Sequence, residues 1–122
     1  MRILIATVLL FAAAAVAGAD RGALVGTWHR ESVRSSNQHI ATTMTFKDDG
    51  TFSGFIDQNG KRAWNFAGKW VLSGNWLHYH YTESDLPELG PGTEDRDEIV
   101  NVTATELHVR SGDRTTVYAR SK

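Results

Sequence analysis

From Trp64 to Tyr81 the chain sets large side chains at every second position. Trp64, Phe66, Trp70 and Leu72 come first, with Gly68 in the remaining slot, then Leu77, Tyr79 and Tyr81. Successive side chains of a strand point to opposite faces, so a period of two marks a strand with one buried side. Ser73-Gly74-Asn75 interrupts the alternation with turn-forming residues. The run therefore predicts a β-hairpin with one aromatic face, and it carries three of the chain's four tryptophans. Each such ring buries roughly 150–250 Å², so this face dictates where the core must lie.

The flanking sequence repeats the strand-and-turn grammar. Leu24 to Val33 reads as a first strand, and His39 to Phe46 as a second with Ile40, Thr42, Met44 and Phe46 on one side. Lys47-Asp48-Asp49-Gly50 and Asn59-Gly60 bracket a third strand, Thr51 to Gln58; Asp-Gly and Asn-Gly supply the positive φ that tight hairpins need. Lys61 to Leu72 and Asn75 to Thr82 form the aromatic pair. Glu83 to Asp97, with both prolines and six acids, reads as one long loop whose acidic end can continue as paired strand. Glu98 to Thr103, Glu106 to Arg110 and Arg114 to Arg120 complete a set of eight. No helical periodicity follows the N-terminal segment, so nothing is available to cover an open sheet. Closure removes exposed edges, and the expected fold is all-β, an eight-stranded antiparallel up-and-down meander barrel.

The N-terminal segment has a different character. Arg2 precedes an apolar stretch from Ile3 to Val16, and Ala17-Gly18-Ala19 supplies small residues before Asp20. This is the pattern of a cleaved secretory signal peptide over residues 1–19, leaving one domain over residues 20–122. The apolar stretch is shorter than the ~20 residues a membrane span needs. With no cysteine there is neither a disulfide nor a lipid-attachment site, so the expected location is periplasmic or extracellular. The mature part carries twelve basic and fourteen acidic residues, a balance that argues against nucleic-acid or anionic-membrane partners. A domain of this size without staples depends on a single well-filled core.

Gly26-Thr27-Trp28 near the start of the first strand resembles the Gly-x-Trp motif of lipocalins and related calycin barrels. In that family the tryptophan closes the base, and a basic residue near the end of the last strand packs across its ring. Tyr118-Ala119-Arg120 matches that second half, so the resemblance implies closure by Gly26, Trp28 and Arg120. A guanidinium on an indole face is worth about 0.5–2 kcal/mol, which gives the pairing its own physical reason. The chain is shorter than a full lipocalin and lacks a Thr-Asp-Tyr motif between its sixth and seventh strands. No helix pair follows the first strand, unlike fatty-acid-binding proteins, and the biotin contacts of avidin-like barrels find no match. The resemblance is to the small lipocalin-like domains exported by bacteria.

That resemblance implies a non-enzymatic barrel binding a small hydrophobic or amphipathic molecule, with no cofactor or metal. Trp64, Phe66, Trp70, Tyr79 and Tyr81 are expected inside, as walls of a cavity or as filler of a solid interior, since eight strands permit either. Arg30 and Thr42, with Ser32, alternate with inward apolar residues. An interior arginine requires a counter-charge, and an anionic ligand such as a carboxylate supplies one. His78 and His80 share the outer face, where two imidazoles without a third ligand are solvated side chains. The acidic loop lacks the spaced ligands of an EF-hand and reads as a solvated lid over the mouth. Catalytic signatures are absent: no cysteine nucleophile, no Gly-x-Ser-x-Gly elbow, no phosphate-cradling loop. The alternative from another class is an inhibitor of a secreted hydrolase such as a protease, with Asp20-Arg21-Gly22-Ala23 as a free N-terminus that plugs the enzyme.

Overall fold

The computed structural model describes residues 19–34 and 37–121; the expected signal segment lies outside them except for Ala19. One helical turn, α1 (Arg21–Leu24), precedes eight strands: β1 (Gly26–Arg34), β2 (Gln38–Phe46), β3 (Thr51–Gln58), β4 (Lys61–Ser73), β5 (Trp76–Ser84), β6 (Glu94–Val102), β7 (Glu106–Ser111) and β8 (Arg114–Arg120). They close in sequence order into an antiparallel barrel. The seam is narrow: Trp28 and His29 of β1 pair with Arg120 and Ala119 of β8. The Ser121 N–H extends it by donating to the Thr27 carbonyl at 2.8 Å.

Turn chemistry sets the registers. Asn59 and Gly60 take φ of 51° and 83°, the paired positive values of a two-residue hairpin loop. At the β2–β3 turn the Asp49 carboxylate accepts from the Thr51 N–H at 2.9 Å and its hydroxyl at 2.6 Å. Those bonds hold Asp49 below the usual carboxylate range. A bulge shifts the β4–β5 register beyond Ala67. There Gly68 lies so close to β5 that a Cβ would collide with the His80 carbonyl oxygen, so the empty slot in the aromatic alternation is a steric requirement.

One expectation needs correction and a second is sharpened. The first strand begins at Gly26, not Leu24, because Asp20 caps α1 by accepting from the Gly22 N–H at 3.2 Å. Asp20 to Ala23 is accordingly not a free N-terminus. Arg21 pairs with Asp48 at 3.0 Å and lies 4.6 Å above the Trp70 ring. The long loop shrinks to residues 85–93: β5 runs on through Ser84, and β6 starts at Glu94, where His80 pairs with it across the ladder. Ladder bonds are made by backbone, so a run of acids enters a strand wherever one side faces water. The loop is not simply solvated, since Leu86 and Leu89 pack against the core.

Candidate functional site

The barrel has a sealed base, a filled middle and an open mouth. At the base Arg120 lies 4.2 Å above the Trp28 ring, as the Gly-x-Trp resemblance implies. Its guanidinium donates to three carbonyls, Ala104 at 2.8 Å, Val25 at 2.9 Å and Ala23 at 2.7 Å. The Trp28 indole N–H donates to the Leu24 carbonyl at 2.9 Å, and Leu24 itself is 0% exposed. Gly26 completes the motif for two reasons: its φ is 137°, and a Cβ there would run into the Arg120 guanidinium.

Above this plug the described residues pack the interior with aromatic rings. Phe46 meets Trp70 edge-on at 5.3 Å, and Phe52 meets Tyr79 and Tyr81 edge-on at 5.5 and 5.4 Å. Phe66 closes on Tyr81 at 6.0 Å. Edge-to-face rings at these spacings gain about 0.5–1.5 kcal/mol per pair beyond their buried area. The Trp70 N–H donates to the Lys47 carbonyl at 3.0 Å. Four of the residues expected inside, Phe66, Trp70, Tyr79 and Tyr81, are therefore core: they face inward and fill the interior, the second of the two expected arrangements.

At the mouth, residues of β1, β2, β3, β4 and β8 surround an open cavity of about 410 Å³. Arg30, Thr42 and Trp64, three of the expected site residues, line it together with Ser32, Ile40, Ile56 and Gln58. Two arginines absent from the sequence reading, Arg34 and Arg114, also line it. A parity count finds both: Arg34 lies two residues beyond Ser32, and Arg114 shares the face of Arg120. No residue of the 85–93 loop lines this cavity, so the segment is not a lid over it. The volume falls in the roughly 300–1,000 Å³ range of small-molecule sites.

The model of the lipocalin-like domain matches residues 24–109, most of the barrel. The chain belongs to the lipocalin-like domain family. No curated protein matches it. Among solved structures, a lipocalin-like protein from Bacteroides uniformis is similar at a TM-score of 0.60, covering 82% of this chain and 100% of that one at 16% identity. At that identity the likeness concerns the fold. Arg120 lies beyond the matched span, so its place in this lipocalin-like barrel rests on the geometry at the base.

One further charged group sits inside the lipocalin-like barrel. Asp97 of β6 accepts a hydrogen bond from the Tyr79 hydroxyl at 3.0 Å. Burial pushes its carboxyl above the usual range, Tyr79 pulls it back, and Asp95 adds to the rise. Burial likewise pushes Tyr118 of β8 up to about 12, with Arg30 pulling it down and Asp97 pushing it up. Tyr118 thus lies in the field of a cation on one side and a carboxylate on the other. On the outer face His80 approaches Glu94 at 3.3 Å. Among the described residues no three His, Asp or Glu side chains converge on a point.

Proposed function

We propose that this lipocalin-like barrel is an exported, non-enzymatic binding protein that takes a small, partly apolar molecule into its open end. The observation that carries the reading is the division of the interior. The base and middle are filled, and the remaining cavity combines the apolar surfaces of Trp64, Ile40 and Ile56 with the polar groups of Arg30, Thr42 and Ser32. The lining is more polar than apolar, and a small apolar patch beside several convergent polar groups is what orients an amphipathic ligand. Family membership supports a binding barrel in general. The N-terminal apolar stretch with its small-residue cut supports export to a periplasm or beyond the cell.

The test is a titration of the purified protein with N-phenyl-1-naphthylamine, an uncharged probe that brightens in apolar surroundings and accepts energy from tryptophan. Saturable binding at one probe per chain, weakened about tenfold by Trp64→Ala, is the expected result; removing a large apolar contact costs on the order of 1.5–3 kcal/mol. Trp64 is only half-buried, so the variant should remain folded. Absence of saturable binding would overturn the reading.

A further inference from the structure

The mouth cavity carries an excess of positive charge with no internal partner. Arg30, Arg34 and Arg114 all line it, and no carboxylate does. Elsewhere on the barrel, arginines that meet a neighbour are neutralised or stacked: Arg21 on Asp48, Arg62 on Asp57, Arg110 on Glu98, Arg96 over Trp76, Arg120 over Trp28. Among the described residues none of the three mouth arginines has an ion-pair or hydrogen-bond partner. Asp97 and Asp95 share one face of β6 on the other side of the barrel; Asp97 takes the Tyr79 hydroxyl, and neither lines the cavity.

The arginines belong to one surface for a topological reason. β1 runs upward from the base with Trp28, Arg30, Ser32 and Arg34 alternating inward, and β8 runs downward with Arg114 and Arg120 on its inner face. These two strands meet only near the base, at Trp28–Arg120 and His29–Ala119. Their mouth ends carry the cations. Trp64 and Ile56, paired across β3 and β4, supply the apolar part, with Ile40 of β2 beside Ser32.

Guanidinium groups bind carboxylate, sulfate and phosphate through paired N–H donors. We infer that the ligand of this cavity is an oxyanion-headed amphiphile, its head group held by Arg30, Arg34 and Arg114 and its apolar part lying on Trp64, Ile40 and Ile56. The inference rests on the binding reading above and specifies its ligand class. The uncharged tail alone would gain from the apolar wall but leave three guanidiniums unused.

Decanoate and decanol differ at the head and share the tail, so isothermal titration of the purified protein with each isolates the charge. Decanoate should bind at least about tenfold tighter, because a charged hydrogen bond contributes about 1.5–3 kcal/mol and each 1.4 kcal/mol is a factor of ten. Arg30→Gln with Arg114→Gln should erase that preference while decanol affinity stays the same. Circular dichroism should show the fold unaltered, since neither side chain anchors another. Added salt should weaken decanoate more than decanol. Equal affinities, absence of decanoate binding, or a preference that survives both substitutions overturns the inference. In any of those cases saturable N-phenyl-1-naphthylamine or decanol binding would leave the open-end reading standing, whereas silence from every probe would remove both.

Discussion

Arg120 does three things at once, and its replacement separates them. It stacks on Trp28, donates to three carbonyls and occupies the space that Gly26 leaves open. Arg120→Ala removes the stack and the donors together, and is expected to lower unfolding stability by about 2–4 kcal/mol in urea melts. Arg120→Lys keeps the charge but cannot span three acceptors, so it should recover less than half of the loss. Asp97 poses the opposite case. Its carboxyl titrates higher in the fold than in the unfolded chain, so the native state binds the proton more tightly and stability falls as pH rises from about 4 through the raised native value. Asp97→Asn retains an acceptor for Tyr79 and removes the charge. It should therefore be more stable than the parent at pH 7 and converge with it near pH 3, as read from melts at both pH values. A loss at pH 7 would mean that the ionised carboxylate is favourably paired within the barrel. The Gly26, Trp28 and Arg120 arrangement was expected only through the family resemblance carried by Gly26-Thr27-Trp28 and Tyr118-Ala119-Arg120. Asp97 was not legible, since a carboxylate inside an acidic run looks the same from sequence whichever face it occupies.

At the scale of elements, the strands were legible and the helical turn was not. Period two is complete within five or six residues, and Asn59-Gly60 or Asp49-Gly50 names its turn outright. Four residues from Arg21 to Leu24 complete barely one turn and show no repeat, so only the Asp20 cap could have signalled α1. The acidic start of β6 was foreseen only as an option, and its exact beginning was not legible for a different reason. Its pairing with β5 is a backbone ladder, and the alternation of Glu94, Asp95, Arg96 and Asp97 carries no hydrophobic signal. Yet α1 is what seals the base. Removing residues 19–23 would delete the Arg21–Asp48 pair, the stack on Trp70 and the Ala23 carbonyl that Arg120 holds. The truncated chain should melt several degrees lower, with the amides of β8 exchanging sooner because the two-pair seam leans on Arg120. An unchanged melt would return this segment to the status of a free arm.

Across the whole molecule, stability and binding are housed in different layers. Phe52, 2% exposed, touches Phe46, Phe66, Tyr79 and Tyr81, and with no cysteine in the chain no disulfide relieves the core of its task. Whether eight strands enclose a solid interior or a hollow one depends on summed side-chain volume at every level of the barrel, which no single stretch reveals. Here the aromatic rings fill the lower part, and smaller or branched residues such as Ser32, Thr42 and Ile56 leave the mouth open. The two layers should then respond independently to mutation. Phe52→Ala is expected to cost about 3–5 kcal/mol, a large part of the roughly 5–15 kcal/mol that holds a domain of this size. Arg30→Gln should leave the ligand-free melt nearly unchanged, because a half-exposed side chain without an ion pair contributes little to folding, and Trp64→Ala should lower it far less than Phe52→Ala does. Decanoate in large excess stabilises whatever it binds by mass action, about 2.7 kcal/mol at a hundred times its dissociation constant. That upward shift should persist in a mildly destabilised core variant such as Ile99→Val and vanish in the mouth variants. Melting curves with and without decanoate across these substitutions decide the matter: a shift that follows the core substitutions instead would place the ligand among the aromatic rings and not at the open end.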